Sequence, residues 1–288
     1  MISGKTKICA LIGDPIGHTM SPAMHNAAYK KLGLDYIYIP FRVRPEDLSK
    51  AVDGLRALNV RGFNVTIPHK VSIIPLLDGL DPLAEKIGAV NTVVNKDGEL
   101  RGYNTDAEGF LRALLERGIE PSGKEVIVLG AGGASRAITY ILAEKGARLT
   151  ILNRQLELDW AEDIAELIKA DFGKVVRVLE LRDDYLAEAL ERADILVNAT
   201  SVGMSPNSGE SPVSAELLKD SLIVFDIVYN PIETRLLREA KAVGARTIGG
   251  IDMLAWQGSL AFEKWTGQKA PLDLMRKEAT MLLEKEII

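Results

Sequence analysis

One segment constrains the fold more than any other: Val126-Ile127-Val128-Leu129-Gly130-Ala131-Gly132-Gly133-Ala134-Ser135-Arg136. Its first four residues are apolar without a break. A strand buried on both faces of a parallel sheet reads this way. Glycines follow at once, and a helix-forming stretch follows them. Gly130, Gly132 and the small Ser135 occupy the three positions of the dinucleotide fingerprint. The first makes a tight turn and the second lets main chain approach a pyrophosphate. The third must be small for the helix to pack on the strand. Free N–H groups and the positive end of the helix then face the phosphates, with Ala131, Gly133 and Ala134 completing the loop. Ser135 stands where Gly or Ala is usual. The competing reading is a tight structural turn; the strand-loop-helix setting favours a nucleotide.

The next strand candidate, Leu149 to Leu152, runs into Asn153-Arg154. An NAD enzyme usually has an acid here to accept from a ribose hydroxyl. A guanidinium can instead pair with a 2′-phosphate. This favours NADP, with NAD as the alternative. The following Gln155-Leu156-Glu157-Leu158 brings no second base, and Glu157 opposes a phosphate site. A solvated surface arginine is the other reading of Arg154.

Strand and helix signals alternate on both sides of the glycine loop. Lys7 to Ile12, Tyr36 to Phe41 and Phe63 to Ile67 read as strands. Ser21-Pro22 reads as a helix start, with Ser21 as N-cap and Pro22 in the first turn. Gly33 ends that helix. A second helix opens at Pro45-Glu46-Asp47, with apolar residues at Leu48, Val52, Leu55 and Leu58. Val90 to Asn95 and Glu99 to Tyr103 flank Lys96-Asp97-Gly98, a hairpin signal. Asp106 to Arg117 reads as a helix, ended by Gly118. Pro121-Ser122-Gly123-Lys124 is a border on composition. Beyond it, Val175 to Leu179, Ile195 to Asn198 and Leu222 to Ile227 are further strand candidates, with a helix from about Trp160 to Ala170. Residues 253–288 read as mostly helical.

A second chemical signal is Asn64-Val65-Thr66-Ile67-Pro68-His69-Lys70. It puts an ammonium group just after a strand end and a proline-stiffened turn. Lysine serves acid-base chemistry when desolvation tunes it, although most lysines are surface residues. Asn104-Thr105-Asp106 is a polar knot that can cap a helix, present a carboxylate, or do both. Asn198-Ala199-Thr200 and Asp226-Ile227-Val228-Tyr229-Asn230-Pro231 follow apolar strands. Ligands of open α/β sheets sit at such carboxyl ends. Gln257 by itself reads as a surface or capping residue.

Composition removes other classes. The net charge of −5 and the absence of a basic stripe argue against nucleic acid. Cys9 is the only cysteine, which excludes an intramolecular disulfide and thiolate metal sites. His18, His25 and His69 have no metal-ligand spacing, so no metal is expected. No apolar run reaches membrane-spanning length, and the start lacks a signal-peptide core. A soluble cytoplasmic protein is the expectation.

Taken together, the motifs resemble the shikimate dehydrogenase family. The resemblance begins with Gly13-Asp14-Pro15-Ile16-Gly17-His18-Thr19-Met20-Ser21-Pro22 and His25-Asn26. It runs through the Asn64–Lys70 segment, Gly88-Ala89-Val90-Asn91-Thr92 and Gly102-Tyr103-Asn104-Thr105-Asp106. It continues through the glycine loop, Asn153-Arg154, Asn198-Ala199-Thr200, Tyr229-Asn230-Pro231 and Gly250-Ile251-Asp252-Met253-Leu254-Ala255-Trp256-Gln257. The resemblance implies an α/β fold of two domains with a cleft between them. One is an N-terminal α/β substrate domain, discontinuous over 1–105 and 251–288. The other is a Rossmann-like NADP-binding domain over 106–250. It implies reversible NADPH-dependent reduction of 3-dehydroshikimate to shikimate, in aromatic amino-acid biosynthesis. By motif, Lys70 and Asp106 would form the catalytic pair. Thr19 and Ser21 would bind the substrate carboxylate, and Thr66, Asn91, Asp106 and Gln257 its hydroxyls, with Tyr229 nearby. Asn153, Arg154, Thr200 and Gly250 would join the glycine loop at the cofactor.

Two features depart from the family pattern. Thr19 holds the first place of the usual Ser-x-Ser pair. The segment after Arg154 lacks the common Thr and second base, and is similar to the quinate/shikimate dehydrogenase branch. A quinate/shikimate dehydrogenase using NAD or NADP is therefore the alternative. A catalytically silent nucleotide-sensing protein is the alternative from another class. The expected partner is a small molecule, with neither nucleic acid nor membrane, and a homodimer is the candidate assembly.

Overall fold

The computed structural model describes residues 2–286; Met1, Ile287 and Ile288 lie outside it. The chain forms two units. One holds the described residues up to Gly109 and from Ala255 onward, and the other is Phe110–Leu254. The Pro121–Lys124 border read from composition falls inside the second unit.

In chain order the first unit contains β1 (Lys7–Gly13), α1 (Ser21–Lys31), β2 (Tyr36–Arg42), α2 (Leu48–Ala57) and β3 (Gly62–Val65). It continues with β4 (Gly79–Leu80), α3 (Pro82–Ile87), β5 (Thr92–Lys96), β6 (Glu99–Tyr103) and the start of α4 (Asp106–Glu116). The sheet order is β2-β1-β3-β5-β6-β4. Its β1, β2 and β3 are parallel, whereas β3, β5 and β6 run antiparallel to one another in turn. The β5–β6 turn has Asp97 and Gly98 at positive φ, as a two-residue hairpin of this hand requires. Ala10, Ile12, Val52, Leu55, Phe63, Val65 and Val93 share one buried core.

The second unit carries the rest of α4, then β7 (Glu125–Leu129), α5 (Gly133–Glu144), β8 (Arg148–Asn153), α6 (Leu158–Phe172) and β9 (Arg177–Glu180). After these come α7 (Asp183–Glu191), β10 (Ile195–Asn198), β11 (Ile223–Asp226), α8 (Arg235–Ala242) and β12 (Arg246–Gly249). The sheet order is β12-β11-β10-β7-β8-β9, with every pair parallel. This is the doubly wound dinucleotide-binding order, and its switch point lies between β7 and β10. The β7 run is buried throughout from Val126 to Leu129, as its unbroken apolar reading requires.

Helix α9 (Gly250–Thr266) leads the chain back, and α10 (Leu272–Glu286) packs on α1. Trp265, fully buried, anchors α9 to the first sheet. Its Nε1–H donates to the Val93 carbonyl at 2.9 Å. Arg61 Nε donates to the Trp265 carbonyl at 2.9 Å.

Several local readings are corrected. Ser21 is the first residue of α1 rather than its N-cap; Met20 caps with no side-chain bond. Leu58 follows the last turn of α2 and is 75% exposed, because α2 ends one residue short of it. Strand β3 stops at Val65, and Ile67 is 61% exposed in the loop. Val175 precedes β9 and is exposed. Strand β4 has only two residues and leaves no period to read, and β12 and helices α3, α7 and α8 are additions to the elements singled out in the sequence.

Candidate active site

The parallel strands β1 and β3 of the first unit end side by side, with Ile12 opposite Val65. Their following loops are tied together, since the Asp14 N–H donates to the Ile67 carbonyl at 2.8 Å. One loop carries Thr19 and Ser21, and the other carries Thr66 and Lys70. His69 pins the second loop. It is fully buried, and its Nε2 lies 2.7 Å from the Val43 carbonyl, so that nitrogen carries the proton.

Lys70 Nζ donates to Asp106 Oδ2 at 2.5 Å, and both side chains are largely shielded from water. Asp106 Oδ1 accepts from Asn91 Nδ2 at 2.8 Å. Asn91 is the centre of this cluster. Its Oδ1 accepts from the Thr105 N–H at 2.7 Å, and its Nδ2 reaches Gln257 Oε1 at 3.4 Å. Asn104 Oδ1 accepts from the N–H groups of Asp106 and Ala107, both at 3.1 Å, which caps α4. Asp106 thus sits in the first turn of a capped helix, where the dipole favours its charge.

Gln257 arrives from α9 because of Gly109. A Cβ on Gly109 would lie 2.8 Å from the Gln257 nitrogen, so the two helices meet backbone to backbone there. The structure therefore brings Lys70, Asn91, Asp106 and Gln257 into one hydrogen-bonded chain. Thr66 lies on the Lys70 loop, and its hydroxyl makes no hydrogen bond among the described residues. The same holds for Ser21, which is 7% exposed. Thr19 Oγ1 accepts from the Ser21 N–H at 3.3 Å, which leaves its own proton free to donate.

The other expected site residues belong to the second unit. Gly130 has φ +94°, a left-handed turn that suits glycine. A Cβ added at Gly132 would meet nothing within 4 Å. The main chain at the mouth of the loop is thus open to a pyrophosphate, and α5 begins at Gly133 with no side-chain cap on its first N–H groups. The loop fits a dinucleotide. Ala131 is 7% exposed, while Gly133 and Ala134 are half-buried. Ser135 is fully buried, and its hydroxyl donates to the Gly130 carbonyl at 2.5 Å. Its side chain shapes the turn, so only its backbone is left to meet a ligand.

Thr200 abuts the loop across the switch point, since a Cβ on Gly130 would lie 3.0 Å from Thr200 Cγ2. Gly250 lies against the β11 end, where a Cβ would meet the Ile227 carbonyl oxygen at 2.2 Å, so close packing accounts for it. Tyr229 is half-buried in the loop after β11. Asn153 is 4% exposed and spends its amide on the Glu157 carbonyl at 2.6 Å. Arg154 is exposed and paired with Glu157. Among the described residues no group of three His, Cys, Asp or Glu side chains could hold a metal, and no helix is long and apolar enough to cross a membrane.

Sequence reasoning placed Asn198 and Asp226 only at strand ends where ligands or turns sit, and the structure gives them a shared structural role. Asp226 is fully buried. Its Oδ1 accepts from Asn198 Nδ2 at 2.9 Å and the Val228 N–H at 3.1 Å, and its Oδ2 accepts from Thr234 Oγ1 at 2.6 Å. Asn198 Oδ1 in turn accepts from Thr200 Oγ1 at 2.7 Å. One carboxylate thus ties together the loops after β10 and β11 and the start of α8. A carboxylate at a strand end flanked by Asn and Thr was the available signal, but its partners lie up to 28 residues away.

Burial pushes the Asp226 carboxyl up from its ordinary 3.8 to about 6, against the three hydrogen bonds. The folded state therefore holds this proton more tightly than the unfolded chain. Stability from it is complete below about pH 4 and is lost as pH rises toward 6. Asp226→Asn removes the titration. Relative to wild type, the variant should gain up to about 3 kcal/mol between pH 4 and pH 7, because each tenfold difference in proton affinity between folded and unfolded chain is worth about 1.4 kcal/mol. Urea unfolding of both proteins across that range measures the difference. A difference that stays flat or moves the other way refutes the assignment.

Comparison with known proteins follows the same division. Residues 11–93 match the family model described as the shikimate dehydrogenase substrate binding domain. Residues 114–239 match shikimate / quinate 5-dehydrogenase, and 250–280 match the shikimate 5′-dehydrogenase C-terminal domain. The shikimate dehydrogenase (NADP(+)) of Dehalococcoides mccartyi is 48% identical over 96% of both chains. A shikimate dehydrogenase solved in complex with NADP+ superposes with a TM-score of 0.92, at 43% identity over 98% of both chains. The Listeria monocytogenes shikimate 5-dehydrogenase, solved with shikimate and NAD, gives 0.87 at 41% identity over 100% of this chain and 98% of that one. Agreement of this extent, over both units and the helices that join them, makes the chain a member of the shikimate dehydrogenase family.

Proposed function

We propose that this chain catalyses the reversible NADPH-dependent reduction of 3-dehydroshikimate to shikimate. The observation that carries the reading is the shielded Lys70–Asp106 ion pair, held by Asn91 at the carboxyl ends of parallel strands. The full-length kinship with NADP-linked shikimate dehydrogenases names the substrate. When bound, the nicotinamide ring supplies or takes the hydride.

In the reduction, the Lys70 ammonium stands against the carbonyl oxygen and stabilises the charge that grows there. It gives that oxygen a proton as the carbonyl carbon becomes C–H. In the oxidation, the neutral amine takes the proton back. Asp106 holds Nζ through one oxygen and is itself held by Asn91 through the other, so the lysine is oriented before substrate arrives. Asn91, Gln257 and the unpartnered Thr66 hydroxyl supply hydrogen bonds for ring hydroxyls. Gly130 to Ser135 and Thr200 would hold the pyrophosphate of the cofactor, and Arg154 would pair with its 2′-phosphate.

The test is a two-by-two assay of shikimate and quinate against NADP and NAD, followed at the nicotinamide absorbance band. The fastest turnover is expected with shikimate and NADP. The contact between Arg154 and Glu157 supports a second reading in which NAD is also used. A silent nucleotide sensor would have no need of a shielded lysine-carboxylate pair, and no turnover with any of the four combinations would support it. Action in the cytoplasm as a homodimer, free of nucleic acid and membrane, completes the proposal; light scattering of the purified protein tests the assembly.

Thr19 and Ser21 are proposed to hold the substrate carboxylate. Removing both hydroxyls should raise the KM for shikimate about tenfold or more. A hydrogen bond to a charged group is worth about 1.5–3 kcal/mol, and 1.4 kcal/mol is roughly tenfold. The affinity for NADP should stay within about twofold, since no nucleotide group is assigned to this loop. An unchanged KM in the double alanine variant would remove both residues from the pocket.

A further inference from the structure

The end of β8 holds an arrangement that the proposed reaction does not use. Arg154 donates from Nε to Glu157 Oε2 at 3.2 Å, and from Nη2 to Oε1 at 2.7 Å and Oε2 at 2.8 Å. One edge of the guanidinium is thus filled by a carboxylate. That planar fork is what a phosphate would also engage.

The pair is not symmetric. Glu157 is held by its backbone, since its N–H donates to the Arg154 carbonyl at 2.9 Å and its own carbonyl accepts from Asn153 at 2.6 Å. Its side chain is 26% exposed, against 73% for Arg154. The turn over Gln155–Glu157 therefore presents a fixed carboxylate, and the arginine is the freer partner. Asn153, at the position where an acid would read an unphosphorylated ribose, has its amide committed to this turn. The carboxylate at this strand end comes from Glu157 instead.

We propose that Glu157 is the specificity-determining residue of the adenosine subsite: it occupies Arg154, must be displaced by a 2′-phosphate, and so holds the preference for NADP over NAD down. The proposal rests on the dinucleotide reading above. An exposed ion pair is weak, so displacement by a phosphate dianion is feasible at a modest loss of affinity. Surface pairs of this kind are worth up to about a fivefold factor, to which repulsion between carboxylate and phosphate adds.

The test uses fragments, independent of catalysis. Calorimetry gives the Kd of adenosine 2′,5′-bisphosphate and of adenosine 5′-monophosphate for the full-length protein. The ratio of the two is the reading. Glu157→Gln should raise the preference for the bisphosphate about fivefold or more, and Glu157→Ala at least as much. Arg154→Ala should lower that preference by about ten- to a hundredfold, as lost charge-assisted bonds imply. With Arg154 already replaced, Glu157→Gln should raise the ratio clearly less than in the wild-type background, because the pair is gone and only the direct repulsion is left to relieve. Asp159→Asn removes an equal charge nearby without touching Arg154, and should leave the ratio alone.

A ratio unmoved by Glu157→Gln overturns the proposal. So does an equal rise in the Arg154→Ala background or in Asp159→Asn, either of which would indicate general charge. If wild type binds neither fragment, the dinucleotide reading itself fails and the proposal falls with it.

Discussion

Lys70→Ala should lose at least about a hundredfold in kcat while shikimate still binds. A group that moves a proton acts mainly in the transition state, so its loss shows in turnover before it shows in binding. The geometry sharpens the expectation. Asp106 accepts from Nζ at 2.5 Å and is itself held by Asn91 at 2.8 Å, so the substitution removes a donor that the protein has fixed in place. The substitution also strands a shielded carboxylate. Breaking a buried pair costs about 3–5 kcal/mol, so thermal unfolding must accompany the kinetics. A folded variant with near-normal kcat removes Lys70 as the acid. A folded variant whose KM alone rises makes it a binding residue. Added small primary amines should restore part of the rate in Lys70→Ala, which a purely structural lysine would not permit.

The second large effect concerns the return of the C-terminal helices. Trp265→Ala should destabilise the first unit by about 3–5 kcal/mol, the usual cost of emptying a large buried aromatic site. Trp265 fills the space left by Gly62, where a Cβ would lie 2.2 Å from Nε1. It also holds the Val93 carbonyl and lies tilted against the rings of His25 and Tyr38. Trp265→Phe keeps most of the ring but removes the Nε1–H donor to that carbonyl, a hydrogen bond worth about 0.5–1.5 kcal/mol. Denaturant unfolding should therefore rank the alanine variant below the phenylalanine variant. Because α9 also carries Gln257, the alanine variant should raise the KM for shikimate at temperatures where it remains folded. A loss under about 1 kcal/mol for alanine would show that α9 is anchored elsewhere.

The local signals in this chain were strong where the physics is local. A buried parallel strand must be apolar throughout, and a turn with φ near +94° suits glycine, so Val126 to Gly133 announces its own fold. The hairpin at Asp97-Gly98 and the glycine stops after α1 and α4 follow from the same backbone rules. Leu58 failed because helical period cannot say where a helix stops. Strand β4 escaped notice because its two residues leave no period to read.

The amino-acid sequence by itself determined the two sheets, the glycine loop after β7, and which polar residues stand at strand ends. Only the tertiary structure decided which of them meet. Gln257 reaches Asn91 across 166 positions because Gly109 lets two helix backbones touch, and no local rule encodes that distance. Asp226 is buried with Asn198 and Thr234 because three elements end at one point, and burial rather than residue type sets its proton affinity. In the sequence Glu157 opposes a phosphate on Arg154 only by its nearness along the chain. A single turn folded back by Asn153 put Glu157 upon Arg154, and side-chain charge acts over ångströms of space, not over positions along a chain.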